Sequence, residues 1–319
     1  MDIVQIKTPE YITAYAESRI GGRVENQDSY GYASTPFGFL ITVCDGMGGG
    51  PGGKTASSIA VREIIQGVQD GNKEEEHTNI VIKAIRRANL AIISKGTEVQ
   101  DLSGMGATCV VILINEDNAI IAHVGDSRVY HFRGHNKIFR TFDHSLVFDL
   151  VRQNVITEEQ ARLSAQSNVI TRALGAKADL EVEVCVRPYE KGDRFLLCSD
   201  GIHGALPEKE LISMATARNS SLGVLTDDIA TYVDGIGVKE GGGHDNLTLA
   251  LIETGINSKM KIKMSKKVKI TLIALSVLCV ISLALNVMAF CGHRMASQKE
   301  QPVQVADSTD IQQQSDNMK

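Results

Sequence analysis

The chain has 319 residues, of which 43% are hydrophobic and 22% charged, with no tryptophan. This is ordinary globular composition, enough for one large domain or two small ones. Residues 1–258 hold 24 basic against 34 acidic side chains, a formal charge near −10 that argues against nucleic-acid binding.

In chain order, the opening "MDIVQIKTPE" has no basic start before an apolar stretch, so no secretory signal is expected. Phe39–Cys44 is the first clear strand, and a glycine loop follows it. "KTASSIAVREIIQGV" (54–68) and "TNIVIKAIRRANLAIISKG" (78–96) have helical patterns, the second ending at a glycine suited to a C-cap. Strands at Thr108–Ile114 and Ala119–Val124 are joined by a turn over Asn115–Asn118, and Val129–Phe132 is a further strand. "TEEQARL" carries the capping-box spacing Thr157 and Gln160. Leu180–Val186, Phe195–Cys198 and Leu247–Ile252 are strands, and Pro207 is placed for the first turn of the helix "PEKELISMATA". Strands are grouped rather than alternating with helices, and one hairpin is evident. The pattern predicts an α+β fold with an antiparallel sheet, not a parallel doubly wound one.

One segment breaks the soluble pattern. Ile270 to Phe290 runs 21 residues without a charge. As a helix it would span roughly 32 Å, matching a bilayer core. Six lysines from Lys259 to Lys269 precede it, whereas Arg294 and Lys299 follow. The lysine excess predicts a cytoplasmic N-terminal domain and a tail outside. The tail is polar, Gln-rich and expected to be disordered.

"VCDGMGGGPGGKTAS", Val43 to Ser57, supports two readings. From Gly48 it matches a nucleotide-binding Walker A loop ending in Gly53, Lys54 and Thr55. From Asp45 it is a carboxylate at the end of an apolar strand, followed by glycines. Asp28, Asp126, Asp200 and Asp245 also stand at the tips of apolar or strand-like runs. One such acid is ordinarily a turn residue. Five converging on a sheet edge would repel strongly, and a pair of divalent cations relieves that repulsion. Carboxylates, backbone carbonyls and water suit Mg²⁺ or Mn²⁺. The glycines after Asp45 allow close approach to the main chain, so Gly46 can offer its carbonyl.

With these residues in place, the sequence resembles the metal-dependent protein phosphatase family, the type 2C serine/threonine phosphatases. "GRVENQDSYG", "VCDGMGGG", "GATCVV", "HVGDSRVY", "DHS", "NVITRALG", "LLCSDGI" and "GGHDNLTLALI" occur in the family's order between about Arg19 and Ile252. Met47 and "NVITRALG" are most similar to bacterial members. The resemblance implies an antiparallel β-sandwich flanked by helices in α-β-β-α layers. It also implies hydrolysis of phosphoserine and phosphothreonine in proteins by a metal-activated water at a dinuclear Mg²⁺ or Mn²⁺ centre. By position, Asp45 bridges two tightly held metals, Gly46 supplies a carbonyl, and Asp200 and Asp245 complete one metal. Asp126 is similar to the main ligand of a weaker third, Asp28 orients water, and Arg23 binds substrate phosphate. The expected division is a catalytic domain over 1–256, a basic juxtamembrane linker over 257–269, a transmembrane helix over 270–291 and a tail over 292–319.

Two positions depart from the animal-type pattern. Met47 stands where some members carry a histidine proposed as general acid, and Gly204 stands where some have an aspartate for the third metal. Cysteine chemistry fails on spacing: six residues after Cys44, Cys109, Cys185 and Cys198 there is no arginine. His123, His144, His203 and His244 are expected to be solvated or hydrogen-bonded rather than ligands. Expected partners are phosphoproteins, a membrane serine/threonine kinase and membrane lipid through the C-terminal helix. The competing class is a catalytically silent phosphoprotein-binding module at the membrane. The complete set Arg23, Asp28, Asp45, Asp200 and Asp245 argues against it. The nucleotide reading is the weakest, since a P-loop calls for a parallel sheet.

Overall fold

The structure, a computed structural model, describes residues 3–48 and 51–259. Its strands are β1 (Val4–Gln5), β2 (Ile12–Arg19), β3 (Ser29–Thr35), β4 (Gly38–Cys44), β5 (Gly46–Met47), β6 (Gly106–Ala107), β7 (Cys109–Ile114), β8 (Ala119–Val124), β9 (Arg128–Arg133), β10 (Asn136–Arg140), β11 (Glu183–Arg187), β12 (Arg194–Cys198) and β13 (Leu247–Thr254). The helices are α1 (Gly52–Gln69), α2 (His77–Glu98), α3 (Leu146–Arg152), α4 (Glu158–Arg162), α5 (Asp200–His203), α6 (Glu208–Thr216) and α7 (Leu222–Lys239).

Two large antiparallel sheets form, ordered β1-β2-β13-β12-β9-β10 and β11-β8-β7-β4-β3, and β5 pairs with β6 in a small third one. The central strands β4, β7, β8 and β12 are apolar almost without interruption because both faces are covered, and successive side chains enter different cores. Ile41, Val110 and Ile112 meet Val129, Leu197 and Ala250 between the sheets. Leu40, Val111 and Leu113 face α1 and α2, packing with Ile64, Ile85 and Ile92. Leu196, Leu249 and Leu251 face α6 and α7, packing with Leu211, Ile229 and Val233. The expected helix–sheet–sheet–helix order is therefore present.

Local signals hold where the chemistry is local. Asn115 N–H bonds the Asn118 carbonyl at 3.0 Å in the β7–β8 turn. Thr157 and Gln160 form both bonds of the capping box. Other boundaries move. α2 continues through Gly96 to Glu98, so that glycine is not its cap, and Pro207 precedes α6 rather than lying within it. The 18-residue α7 has no counterpart among the sequence-based expectations, because Gly223, Gly235 and Gly237 weaken its helical signal. Ser221 caps it, accepting from the Val224 N–H. β2 was masked by its small core residues, Ala14 and Ala16.

The single-pass membrane placement does not stand. Among the described residues no helix is long and apolar enough to cross a membrane. The longest, α2, carries charged residues such as Lys83, Arg86 and Arg87 along the exposed face opposite its apolar one. The Ile270–Phe290 segment on which the transmembrane helix, its lipid contact and the orientation rested lies outside the described residues, as does the tail.

Ile112, fully buried between the sheets, makes the two-layer packing testable. Ile112→Ala should lower unfolding free energy by about 2–5 kcal/mol, read from urea midpoints at unchanged slope. A loss below about 0.5 kcal/mol would contradict the packing.

Candidate metal centre

The strand register brings the predicted acids to one end of both sheets. Ser29 pairs with Cys44, Cys109 with Val124, and Cys198 with both Leu249 and Arg128. The residues just beyond those pairs are Asp28, Asp45, Asp126, Asp200 and, two before β13, Asp245. Asp45, Asp126, Asp200 and Asp245 line one cleft of about 650 Å³ together with Arg23, Gly46 and Met47.

Each acid is held by its backbone. The Asp45 N–H donates to Thr108 Oγ1 at 3.0 Å, and the Thr108 N–H donates back to the Asp45 carbonyl at 2.8 Å. The Asp126 carbonyl meets His203 Nε2 at 2.9 Å. Asp200 opens α5 directly after β12. Asp28 is 2% exposed and stands behind the cleft, accepting from Ser199 Oγ at 2.8 Å. Arg23 is exposed and donates to Asp245 Oδ2 at 3.0 Å.

Burial and mutual repulsion dominate the electrostatics. Asp45 is pushed well above the usual carboxylate range, first by burial and then by Asp200, Asp28, Asp126 and Asp245. Asp126 is raised similarly by burial, Asp200 and Asp143. Burial and Asp245 raise Asp200 to about 6, against a lowering hydrogen bond from Asp45. Burial raises Asp28 to about 7, although bonds from Thr248 and Ser199 oppose it.

These residues fit divalent cations. Asp200 Oδ1 is buried without a hydrogen-bond partner, a costly state for a carboxylate oxygen unless a cation engages it. A Cβ at Gly46 would lie 2.0 Å from the Gly53 carbonyl oxygen, so only glycine lets the main chain run beside Asp45. All-oxygen donors suit Mg²⁺ or Mn²⁺. Among the described residues, the one triad of histidine, cysteine or acidic ligand atoms within 4.8 Å of one another is His123, His144 and Glu183. The cleft aspartates are thus spread more widely than the ligands of one ion. The histidine triad is a brace: its rings stack at 4.6 Å, His144 Nδ1 accepts the Gly125 N–H, and His123 Nε2 meets the Phe142 carbonyl at 3.0 Å.

Lys54 does not behave as a phosphate-binding lysine. Its Nζ donates to the Asp28 carbonyl at 2.8 Å, and β4 is antiparallel to both neighbours. Gly204 closes α5 with φ −78° and leaves no carboxylate beside Asp126 from that position.

Sequence comparison agrees with this geometry. The family model described as protein phosphatase 2C matches residues 17–232. The chain belongs to the protein phosphatase 2C family. It is 34% identical over 246 residues to the serine/threonine phosphatase stp of Listeria monocytogenes, covering 75% of this chain and 90% of that protein. Protein phosphatase PhpP of Streptococcus pneumoniae is 32% identical over 235 residues, covering 72% of this chain and 92% of PhpP. Among solved structures, the Streptococcus agalactiae serine/threonine phosphatase superposes with TM-score 0.69 at 31% identity, over 76% of this chain and all of that one. A PstP catalytic domain in complex with two manganese ions has TM-score 0.65 at 28% identity, over 76% of this chain and 98% of its own. This type 2C phosphatase is accordingly a metal-dependent enzyme acting on phosphoserine and phosphothreonine in proteins.

Asn246 escaped the sequence reading although it ties the phosphatase cleft together. Its Oδ1 accepts the Gln27 N–H at 2.9 Å, and its Nδ2 donates to the Ile20 and Glu25 carbonyls at 2.8 and 3.0 Å. Thr108 and Ser199 were missed likewise. The available signal was a polar residue interrupting an apolar run beside each aspartate.

A group whose folded pKa is raised favours the folded state while protonated. The contribution of Asp200 and Asp28 to the stability of the chelated phosphatase should therefore be full below the ordinary aspartate value of 3.8 and be lost as pH rises through about 6 and 7, where they ionise. Urea unfolding of wild type and of Asp28→Asn in chelator across this range isolates the Asp28 part from the opposing buried histidines, and Mn²⁺ should flatten the difference. A chelated wild type that loses no stability relative to Asp28→Asn over that interval would contradict the assignment.

Proposed function

We propose that hydrolysis takes place at the aspartate cleft, with Asp45, the Gly46 carbonyl, Asp200 and Asp245 holding two Mg²⁺ or Mn²⁺ ions. The observation that carries this reading is the buried, unpartnered Asp200 Oδ1 amid carboxylates that raise one another's pKa. The two manganese ions named for the PstP catalytic domain support the count. Bound metal would supply positive charge to the phosphoryl oxygens and lower the pKa of water to yield the nucleophile.

The chain's own groups do the rest. Asp28, buried behind the cleft, orients water by accepting its proton at the carboxylate. Arg23 is paired with Asp245 and exposed, so a cation engaging Asp245 leaves the guanidinium for two phosphate oxygens. Asp126 is the protein ligand of a weaker third ion, which Gly204 leaves short of a second carboxylate. Met47 cannot donate a proton to the leaving group, so protonation falls to water. The catalytic domain is assigned to 1–256, in line with a compact unit over Met1–Lys261, with a basic linker to 269 and a polar tail over 292–319. Its substrates are products of a serine/threonine kinase, and a membrane kinase is the proposed partner.

Chelation should abolish p-nitrophenyl phosphate hydrolysis and Mn²⁺ or Mg²⁺ should restore it. Asp45→Asn should reduce kcat by at least about 10²-fold with metal present. Substantial turnover by the chelated enzyme would sink the mechanism.

Asp126→Ala should leave two tight metals bound by calorimetry while raising the metal concentration needed for half-maximal rate by about tenfold. If both quantities stay at wild-type values, the third ion has no catalytic part.

A further inference from the structure

Beside the aspartate cleft lies a second chamber of about 560 Å³, walled by the α3–α4 segment, the α5–α6 turn and the C-terminal half of α7. The two spaces adjoin: Arg23, Asp126, Asn168, Asp200 and Asp245 line both. Most charged groups in the chamber wall already have partners. Arg128 pairs with Asp143 and Arg162 with Glu159, each at 2.7 Å. Glu158 and Glu208 share Arg140 at 2.7 and 2.8 Å. Lys209 and Glu240 are exposed to water. The apolar part of the wall is formed by Phe148, Ala161, Ala205, Pro207, Val233 and Ile236, beside the polar side chains of Ser167, Asn168, His203 and His244. Val24, fully exposed, lines the adjoining aspartate cleft.

A charged ligand group seated against Arg128 and Asp143 would lose water and break that buried pair to gain a partner, which is costly, while Lys209 and Glu240 stand exposed where water screens their charge. An apolar side chain gains by leaving water and disturbs no pair. Because the chamber shares those lining residues with the aspartate cleft, residues flanking a phosphoryl group held at the aspartates come within reach of it, each extended residue spanning about 3.3 Å.

We infer that this chamber receives an apolar side chain flanking the phosphorylated residue, and so selects phosphoprotein substrates by that neighbour. The inference rests on placing hydrolysis at the aspartate cleft.

Phosphothreonine peptides carrying Phe, Gly, Lys or Glu singly at each of the three positions on either side test it, with kcat/KM as readout. One position should favour Phe by about tenfold over the other three. Ile236→Glu should erase that preference while p-nitrophenyl phosphate hydrolysis stays within about twofold of wild type. Pro207→Glu, at an exposed wall position, should do the same and serves if Ile236→Glu fails to fold. A flat peptide profile, or a preference surviving in every folded variant, overturns the inference. Failure of the wild-type protein to hydrolyse p-nitrophenyl phosphate with Mn²⁺ would instead overturn the reading of the cleft on which it rests.

Discussion

Electrostatic repulsion among buried carboxylates is the constraint around which this phosphatase is arranged. Asp45, Asp126 and Asp200 stand close enough to disturb one another's ionisation, and Asp28 adds a fourth charge from behind. Such a group is tolerated only where the surrounding structure is rigid and a counter-charge arrives. Rigidity comes from two sheets whose central strands are buried on both faces, so that Asp45, Asp126, Asp200 and Asp245 stand beside strands that cannot slide without misplacing a whole apolar row. Arg23 supplies a partial counter-charge through Asp245, but from an exposed position where water screens it.

The loops at this end are held by polar contacts instead of packing. Asn246 binds three backbone groups of the segment between Ile20 and Gln27, joining the loop of Arg23 to that of Asp245. Gly21 sits at φ +61° with Asp245 so close that a Cβ would come within 2.0 Å of its carbonyl oxygen. His244 Nε2 meets Asp234 Oδ1 at 2.7 Å, fastening the same loop to α7. Arg19 reaches Asp227 from β2 at 2.8 Å and ties α7 to the six-stranded sheet. The helix without a clear sequence signal thus supports one wall of the site.

Legibility followed the range of the physics involved. Strand tips ending in aspartate are visible because apolar runs and turn residues act over a few positions, and five repetitions made the metal reading specific. The Walker-like loop misleads for the same reason. Its spacing is local, whereas the evidence against it, an antiparallel β4 and a Lys54 already engaged by Asp28, is not. The membrane reading rested on hydropathy and on the lysine asymmetry either side of Ile270–Phe290, and none of the described helices supports it.

The sequence by itself determined the family, the α+β class, the identity of the clustered acids and the lack of a thiolate-phosphatase Cys–Arg spacing at Cys44, Cys109, Cys185 and Cys198, because these depend on residue type and short spacing. Tertiary structure decided which carboxylates share a cleft, which one stands behind it and how Arg23 is engaged. It also decided how the chamber beside α7 disposes of its charges. Those are long-range facts: Arg23 and Asp245 lie 222 residues apart, and Ser199 and Asp28 are separated by 171. Only the register of strands distant in sequence brings such groups within hydrogen-bonding distance.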